Sequence, residues 1–160
     1  MASEFTERLR ASGFAAAVKA AKDSLAENGI PIGAVFTIDN RVYVAHNRRV
    51  QDNDPIAHAE MVAIRMAGRL TAAEYAKSTL YTTLSPCWMC SGTILLYKIP
   101  LVIIGENKNF FGAEDFLKSR GVQIMNINDE ECIKMMKEFI AKNPRLWRED
   151  IGEEREKKSG

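Results

Sequence analysis

Residues 101–105 read LVIIG, from Leu101 to Gly105, and contain no polar side chain. A β-strand directs alternate side chains to opposite faces of its sheet, so this apolar run predicts a strand buried on both faces. Such a strand needs a layer of helices on each side. The stretch therefore favours an α/β fold in which helices cover both faces of a central sheet.

Helices and strands alternate on either side of this strand, and crossover helices make the later strands parallel. We therefore expect an α/β three-layer α-β-α sandwich with a mixed central sheet of about five strands. The predicted elements are a helix through Phe14 and Leu25, a hairpin of Ile32–Ile38 and Arg41–Ala45, a helix at Ala57–Ala67, a strand at Ser78–Thr83, a helix at Cys87–Tyr97, the strand at Leu101–Gly105, a helix at Glu114–Ser119, a strand at Val122–Ile127 and a helix at Asp129–Lys142.

Length and composition suit one compact domain: the chain has 160 residues, and 46% of them are hydrophobic. We expect that domain to span residues 1–152 and a charged tail to span residues 153–160. With 22 Lys and Arg against 21 Asp and Glu, the net charge of +1 makes nucleic acid an unlikely partner. No apolar run reaches the ~20 residues that cross a bilayer. The acidic start MASEFTERLR does not resemble a secretory signal, so we expect a cytoplasmic protein.

Two of the three cysteines stand in the stretch SPCWMC, residues 85–90. Cys87 and Cys90 are three residues apart, so on a helix they share a face and can reach one point. They also follow Pro86 into a first helical turn, where free amide groups and the helix dipole favour thiolates. This geometry suits a redox pair and a metal site equally well.

His58-Ala59-Glu60 opens the preceding predicted helix, and the order His-x-Glu, strand, Pro-Cys-x-x-Cys matches the signature of zinc-dependent nucleobase deaminases. Catalytic zinc takes three protein ligands, here His58, Cys87 and Cys90, and lowers the pKa of bound water to about 7. Glu60, which is not a ligand, would move the protons. Residues two apart do not share a helix face, so His58 and Glu60 can cooperate only in a first turn.

At this point the sequence resembles the cytidine and deoxycytidylate deaminase superfamily, and within it most closely the fungal-type cytosine deaminases. The resemblance implies a homodimer with one Zn²⁺ per subunit that deaminates free cytosine to uracil and ammonia, by hydroxide attack at C4, as in pyrimidine salvage. Beyond the zinc motif, it is carried by PIGA (31–34), HNRR (46–49), LYTTLSPC (80–87), GEN (105–107) with Phe110, and WREDIGE (147–153).

The resemblance also implies seven contacts to the base. The implied contacts are Asn47 and Asp150 as polar groups, Phe110 and Trp147 as aromatic rings over the base, Ile32 and Leu84 as apolar walls, and Ala59 through its backbone N–H.

Two positions depart from the fungal pattern, which has glycine at Ala59 and an acidic residue at Trp88. We expect Trp88 to pack beneath the site or at a subunit interface.

Three other readings stay open at this point. The first is deamination of another base or heterocycle, such as guanine, isocytosine or a triazine. The second is deamination of adenosine in transfer RNA, which uses the same motif on flipped-out bases. The third is a non-catalytic zinc module or a CxxC redox protein, although structural zinc normally has four protein ligands and no fourth is evident.

Overall fold

The computed structural model describes residues 4–154, and the remainder of the predicted charged tail, residues 155–160, lies outside this range. A five-stranded sheet with the order β2-β1-β3-β4-β5 forms the middle layer. The mixed sheet of the predicted sandwich is thereby confirmed, with parallel pairing in its later part. Its strands are β1 (Gly33–Ile38), β2 (Arg41–His46), β3 (Ser78–Leu84), β4 (Leu101–Glu106) and β5 (Gln123–Asn126), of which β1 pairs antiparallel with β2 and β3.

Helices cover both faces of the sheet. On one face α1 lies across β1, β2 and β3, and α6 lies against β4; on the other, α2 lies across the same three strands and contacts α4. Among the described residues, no helix is both long and apolar enough to cross a bilayer. The helices are α1 (Glu4–Ala26), α2 (Ala59–Ala67), α3 (Ala72–Tyr75), α4 (Trp88–Tyr97), α5 (Glu114–Ser119), α6 (Glu130–Lys142) and α7 (Pro144–Asp150).

The apolar strand β4 is buried on both faces, as its composition predicts. Ile103 is 1% exposed and packs with Val35 and Tyr81 on the α1 face. Val102 and Ile104 are fully buried on the opposite face. The alternation of the strand therefore joins the two helical layers into a single structure around the sheet.

Two short helices were not predicted, and both carry end signals in the sequence. Thr71 and Glu74 form a reciprocal capping box at the start of α3, and Pro144 occupies the first turn of α7. Both helices are too short for their apolar spacing to stand out. The helix α7 matters for function, because it carries two of the predicted site residues, Trp147 and Asp150.

The contact between α1 and β1 depends on Gly33. A Cβ atom at this position would lie 1.9 Å from the carbonyl oxygen of Ala17 and 2.7 Å from the backbone nitrogen of Ala21. Backbone atoms of a packed helix cannot yield as a flexible side chain can. Only glycine therefore allows α1 to lie this close to the sheet.

We expect Gly33→Ala to lower the free energy of unfolding by about 1–3 kcal/mol or more, as overpacking of a well-packed interior does. Ser12→Ala is the control, because Ser12 is an exposed residue of α1. That change should leave the free energy of unfolding unchanged or raise it by up to ~0.5 kcal/mol, since alanine is the better helix former. Urea unfolding of both variants measures the difference, and equal stabilities would contradict the tight contact.

Candidate active site

The starts of α2 and α4 face the same cavity at the carboxyl end of β3. His58 is the N-cap residue of α2 and Cys87 is the N-cap residue of α4, and both have extended backbone conformations. Neither side chain caps its own helix with a hydrogen bond. Both are therefore free to point into the space between the two helix ends.

The ligand atoms of His58, Cys87 and Cys90 all lie within 4.8 Å of one another. His58 Nδ1 is 3.5 Å from Cys87 Sγ and 3.8 Å from Cys90 Sγ. Tetrahedral zinc, with Zn–N and Zn–S distances near 2.0 and 2.3 Å, separates a nitrogen and a sulfur ligand by about 3.5 Å. The donor set and its spacing therefore fit a zinc ion that keeps a fourth position for water.

The surroundings of Cys87 favour a thiolate. Hydrogen bonding with Cys90, and further with His58, lowers the pKa of Cys87 to about 4 in spite of its burial. Both sulfurs also stand in the first turn of α4, where the helix dipole stabilises negative charge. Zinc binds thiolates rather than thiols, so Cys87 is ready to bind the metal, whereas the hydrogen bond with Cys87 and burial raise the pKa of Cys90, which must give up its proton when the metal binds.

His58 is held from behind by Asp150. Its Nε2 atom lies 3.3 Å from Oδ1 of Asp150, while Nδ1 faces the sulfurs. Burial by itself lowers the pKa of His58, but the hydrogen bonds with Asp150 and Cys87 raise it to about 11. A carboxylate on the outer nitrogen orients a zinc-ligating imidazole and makes it more basic. Asp150, predicted as a contact to the base, therefore also supports a zinc ligand.

Glu60 lies beside the ligand set in the second position of α2 and is 4% exposed. Its Oε1 atom accepts a hydrogen bond from the hydroxyl of Thr82 at 2.7 Å, and its Oε2 atom is 3.3 Å from Cys90 Sγ. Burial raises the pKa of Glu60, which helps it to hold a proton near neutral pH. The first-turn position also answers the objection that His58 and Glu60 do not share a helix face.

Six of the seven predicted base contacts line the cavity, with Phe110 and Trp147 closing it. The two rings meet edge to face with centroids 5.8 Å apart. The Nδ2 atom of Asn47 donates to Oδ1 of Asp150 at 3.2 Å, so the two polar groups form one unit. Ala59 is fully buried and is not part of the described lining. The lining from the predicted set is Ile32, Asn47, Leu84, Phe110, Trp147 and Asp150.

Three residues at the site were not predicted from the sequence. Ser85 and Ile151 line the cavity, and Thr82 holds Glu60. Thr82 carries no distinct signal, because β3 reads STLYTTL and four of its seven residues are serine or threonine. Ser85 and Ile151 adjoin predicted site residues but carry no signal of their own.

Trp88 does not pack beneath the site. Its side chain is 68% exposed, and its ring contacts Phe116 at a centroid distance of 5.9 Å. The side chain is not part of the cavity lining but borders an open groove outside it, together with Cys87 and Phe110. His46 is not in the ligand set, and its Nδ1 lies 2.8 Å from the backbone oxygen of Asn47. Cys132 is fully buried, as expected of a core residue.

Comparisons with known proteins agree with this chemistry. The family model of the cytidine and deoxycytidylate deaminase zinc-binding region matches residues 9–106. The chain is 48% identical to the cytosine deaminase of Candida albicans over 88% of this chain and 95% of that protein. It is 42% identical to a tRNA-specific adenosine deaminase of Streptococcus pyogenes over 63% of this chain and 65% of that protein. A solved structure from a study of tRNA:A34 deaminases superposes with a TM-score of 0.66 at 28% identity, covering 78% of this chain and 99% of the other.

We expect Asp150→Asn to weaken zinc binding about 10- to 100-fold, because the charged partner of His58 is lost while the size of the side chain is kept. Competition with a chromogenic chelator measures the affinity. Glu149→Gln is the matched control, since Glu149 is the neighbouring acid and pairs with Arg145 at 3.3 Å instead. Equal zinc affinities of the two variants would refute the supporting role of Asp150.

Proposed function

Because this chain belongs to the cytidine and deoxycytidylate deaminase family, we propose that it hydrolyses free cytosine to uracil and ammonia. The observation that carries the proposal is the arrangement of a buried carboxylate beside a three-ligand zinc site. Glu60 Oε2 lies 3.3 Å from the ligand Cys90 without belonging to the ligand set. A redox pair or a structural zinc has no use for this carboxylate.

His58, Cys87 and Cys90 would hold the zinc ion, which would supply the Lewis acidity that makes water a nucleophile near neutral pH. Glu60 would move two protons in turn, the first from the attacking water to the ring nitrogen and the second from the hydroxyl left on the ring carbon to the amine, so that ammonia can depart. Its hydrogen bond from Thr82 fixes one oxygen and leaves the other facing the zinc ligands. Its burial, which raises its pKa, favours the protonated form needed for delivery.

The enclosure of the cavity favours a free base over a nucleoside. Phe110 and Trp147 meet over it, and Ile151 at the end of α7 completes the lining. A ribose attached to the ring would need the space that these side chains occupy. Asn47 and Asp150 present an amide and a carboxylate, which suit the carbonyl and N–H edge of cytosine.

We expect the protein to release ammonia from cytosine. The kcat/KM for cytosine should be at least ~10²-fold higher than that for cytidine, guanine, isocytosine or adenine, because a substrate that is misplaced in the site reacts about that much more slowly. Removal of zinc by a chelator should abolish the reaction, and added zinc should restore it. A stem-loop RNA with an unpaired adenosine tests the transfer RNA reading. Equal rates on cytosine and cytidine would refute the proposal of a free base.

The variant Glu60→Gln tests the role of Glu60 in the same assay. It keeps the size of the side chain and removes the proton carrier, so we expect bound zinc to stay at the wild-type level while turnover falls by about 10²-fold or more. Normal deamination by this variant would overturn the assigned role of Glu60. Loss of zinc from it would instead indicate damage to the metal site.

We also propose that the chain forms a homodimer through the outer face of α2 and α4. Large apolar side chains are exposed there: Leu96 is 70% exposed and Met66 is 52% exposed. Leu96→Glu should convert the dimer to a monomer in analytical ultracentrifugation, because a charge at the centre of an apolar interface is left unpaired. Leu25→Glu, on the exposed side of α1, is the control. A monomeric wild-type protein would refute this proposal.

Finally, we propose a cytoplasmic place in pyrimidine salvage, where the product uracil is reused. The three cysteines are all free, and two of them serve zinc as thiolates, which a reducing compartment preserves. Fractionation of cells followed by the cytosine assay tests the location. Activity confined to a secreted fraction would contradict it.

A further inference from the structure

Two buried carboxylates lie next to the cavity without taking part in zinc binding or proton transfer. Glu106 ends β4 and is fully buried, and Glu114 begins α5 and is 1% exposed. Their described hydrogen bonds come from neutral N–H and O–H groups. Carboxylates are costly to bury, so their place beside the site needs a reason.

Glu106 holds the backbone just before Phe110. Its Oε2 atom accepts from the backbone N–H groups of Lys108 at 2.7 Å and Asn109 at 3.0 Å. Its Oε1 atom accepts from Nδ2 of Asn109 at 2.8 Å, and the same Nδ2 donates to the backbone oxygen of Ile133 in α6 at 3.0 Å. Asn109 is thereby tied both to the sheet and to a helix.

Glu114 holds the backbone just after Phe110, through Ser85. The Ser85 hydroxyl donates to Oε2 of Glu114 at 2.6 Å and accepts from the backbone N–H of Gly112 at 3.0 Å. Nδ2 of Asn107 donates to the other carboxylate oxygen at 3.3 Å. Because Ser85 lines the cavity, the loop is joined directly to the wall of the site.

The loop also lies against the segment that precedes the zinc ligand Cys87. A Cβ atom at Gly112 would come within 2.0 Å of the backbone oxygen of Pro86. The segment 107–112, which we name the Phe110 loop, is therefore fixed at both ends and along one side.

We propose that Glu106 and Glu114 are positioning residues that hold the Phe110 loop so that Phe110 closes over the base. The proposal rests on the proposed function, in which Phe110 covers a free base. Both oxygens of each carboxylate accept hydrogen bonds. Glu106→Gln must therefore turn an NH₂ group toward an N–H donor, and Glu114→Gln must turn one either toward Nδ2 of Asn107 or toward the Ser85 hydroxyl, which then has to rotate from donor to acceptor. One set of anchoring bonds is then lost while the volume of the side chain is unchanged.

Steady-state kinetics is the first measurement. In Glu106→Gln and Glu114→Gln we expect kcat/KM for cytosine to fall about ten-fold, mainly through KM, since misplaced positioning groups cost up to ~10²-fold while zinc and Glu60 are untouched. Discrimination against cytidine should shrink in parallel. Asp115→Asn is the matched control, because Asp115 is the exposed acid next to Glu114 in the same first turn.

A second measurement does not depend on activity. Trp88→Phe leaves Trp147 as the single tryptophan, and Trp147 is 7% exposed against Phe110. In this background, acrylamide quenching of the zinc-loaded protein should rise in both glutamine variants toward the value for Phe110→Ala. A role in stability alone would lower the unfolding temperature without changing the quenching of the folded protein.

Gly112→Ala tests whether the position of the Phe110 loop matters, without changing either carboxylate. If a glutamine variant does not fold, Asn107→Ala is the milder substitute, because Asn107 is only half-buried. Quenching and KM equal to those of Asp115→Asn in the folded variants would overturn the proposal. A wild-type protein inactive on cytosine would refute the proposed function instead, and the quenching would still show whether the carboxylates hold the loop.

Discussion

The structure depends on the convergence of one nitrogen and two sulfur atoms at the starts of two helices. His58 and Cys87 occupy N-cap positions, where the side chain stands at the open end of the helix. Cys90 adds the second sulfur from the first turn of α4. A zinc ion tolerates little variation in these distances, so α2 and α4 must be fixed relative to each other, and the two helices are in contact.

The polar groups around this point form a connected layer rather than separate contacts. Thr82 holds Glu60, and Asp150 joins His58 to Asn47. Each of these groups is buried, and each has a partner, as buried polar groups require. The same rule gives a reason for Glu106 and Glu114, whose carboxylates accept from the loop that carries Phe110. The cavity is therefore lined by hydrogen-bonded polar groups around the zinc ligands, and the aromatic rings of Phe110 and Trp147 close it.

Much of the fold follows from local patterns that the sequence shows directly. The apolar run of β4 predicts helices on both faces of the sheet, and the spacing of the zinc motif indicates the three ligands without any knowledge of tertiary contacts. The short helices α3 and α7 were not predicted, because a helix of fewer than eight residues is too short to show helical periodicity in its apolar residues. Of the two places expected for Trp88, the one beneath the site is wrong and the one at a subunit interface stays a prediction, because a position next to a ligand does not determine which way the side chain points.

By itself, the sequence determined the order of the strands and of the longer helices, and it pointed to the zinc ligands and to Glu60 as the candidate proton carrier, because these depend on residue type and on spacing within one helix or strand. Tertiary structure alone decided that Asp150 stands behind His58, that Thr82 fixes Glu60, and that the Phe110 loop is tied to Ser85. The physical reason is the sequence distance between the partners. Asn47 and Asp150 are 103 residues apart, and no local pattern records which distant groups a folded sheet will bring within hydrogen-bonding distance.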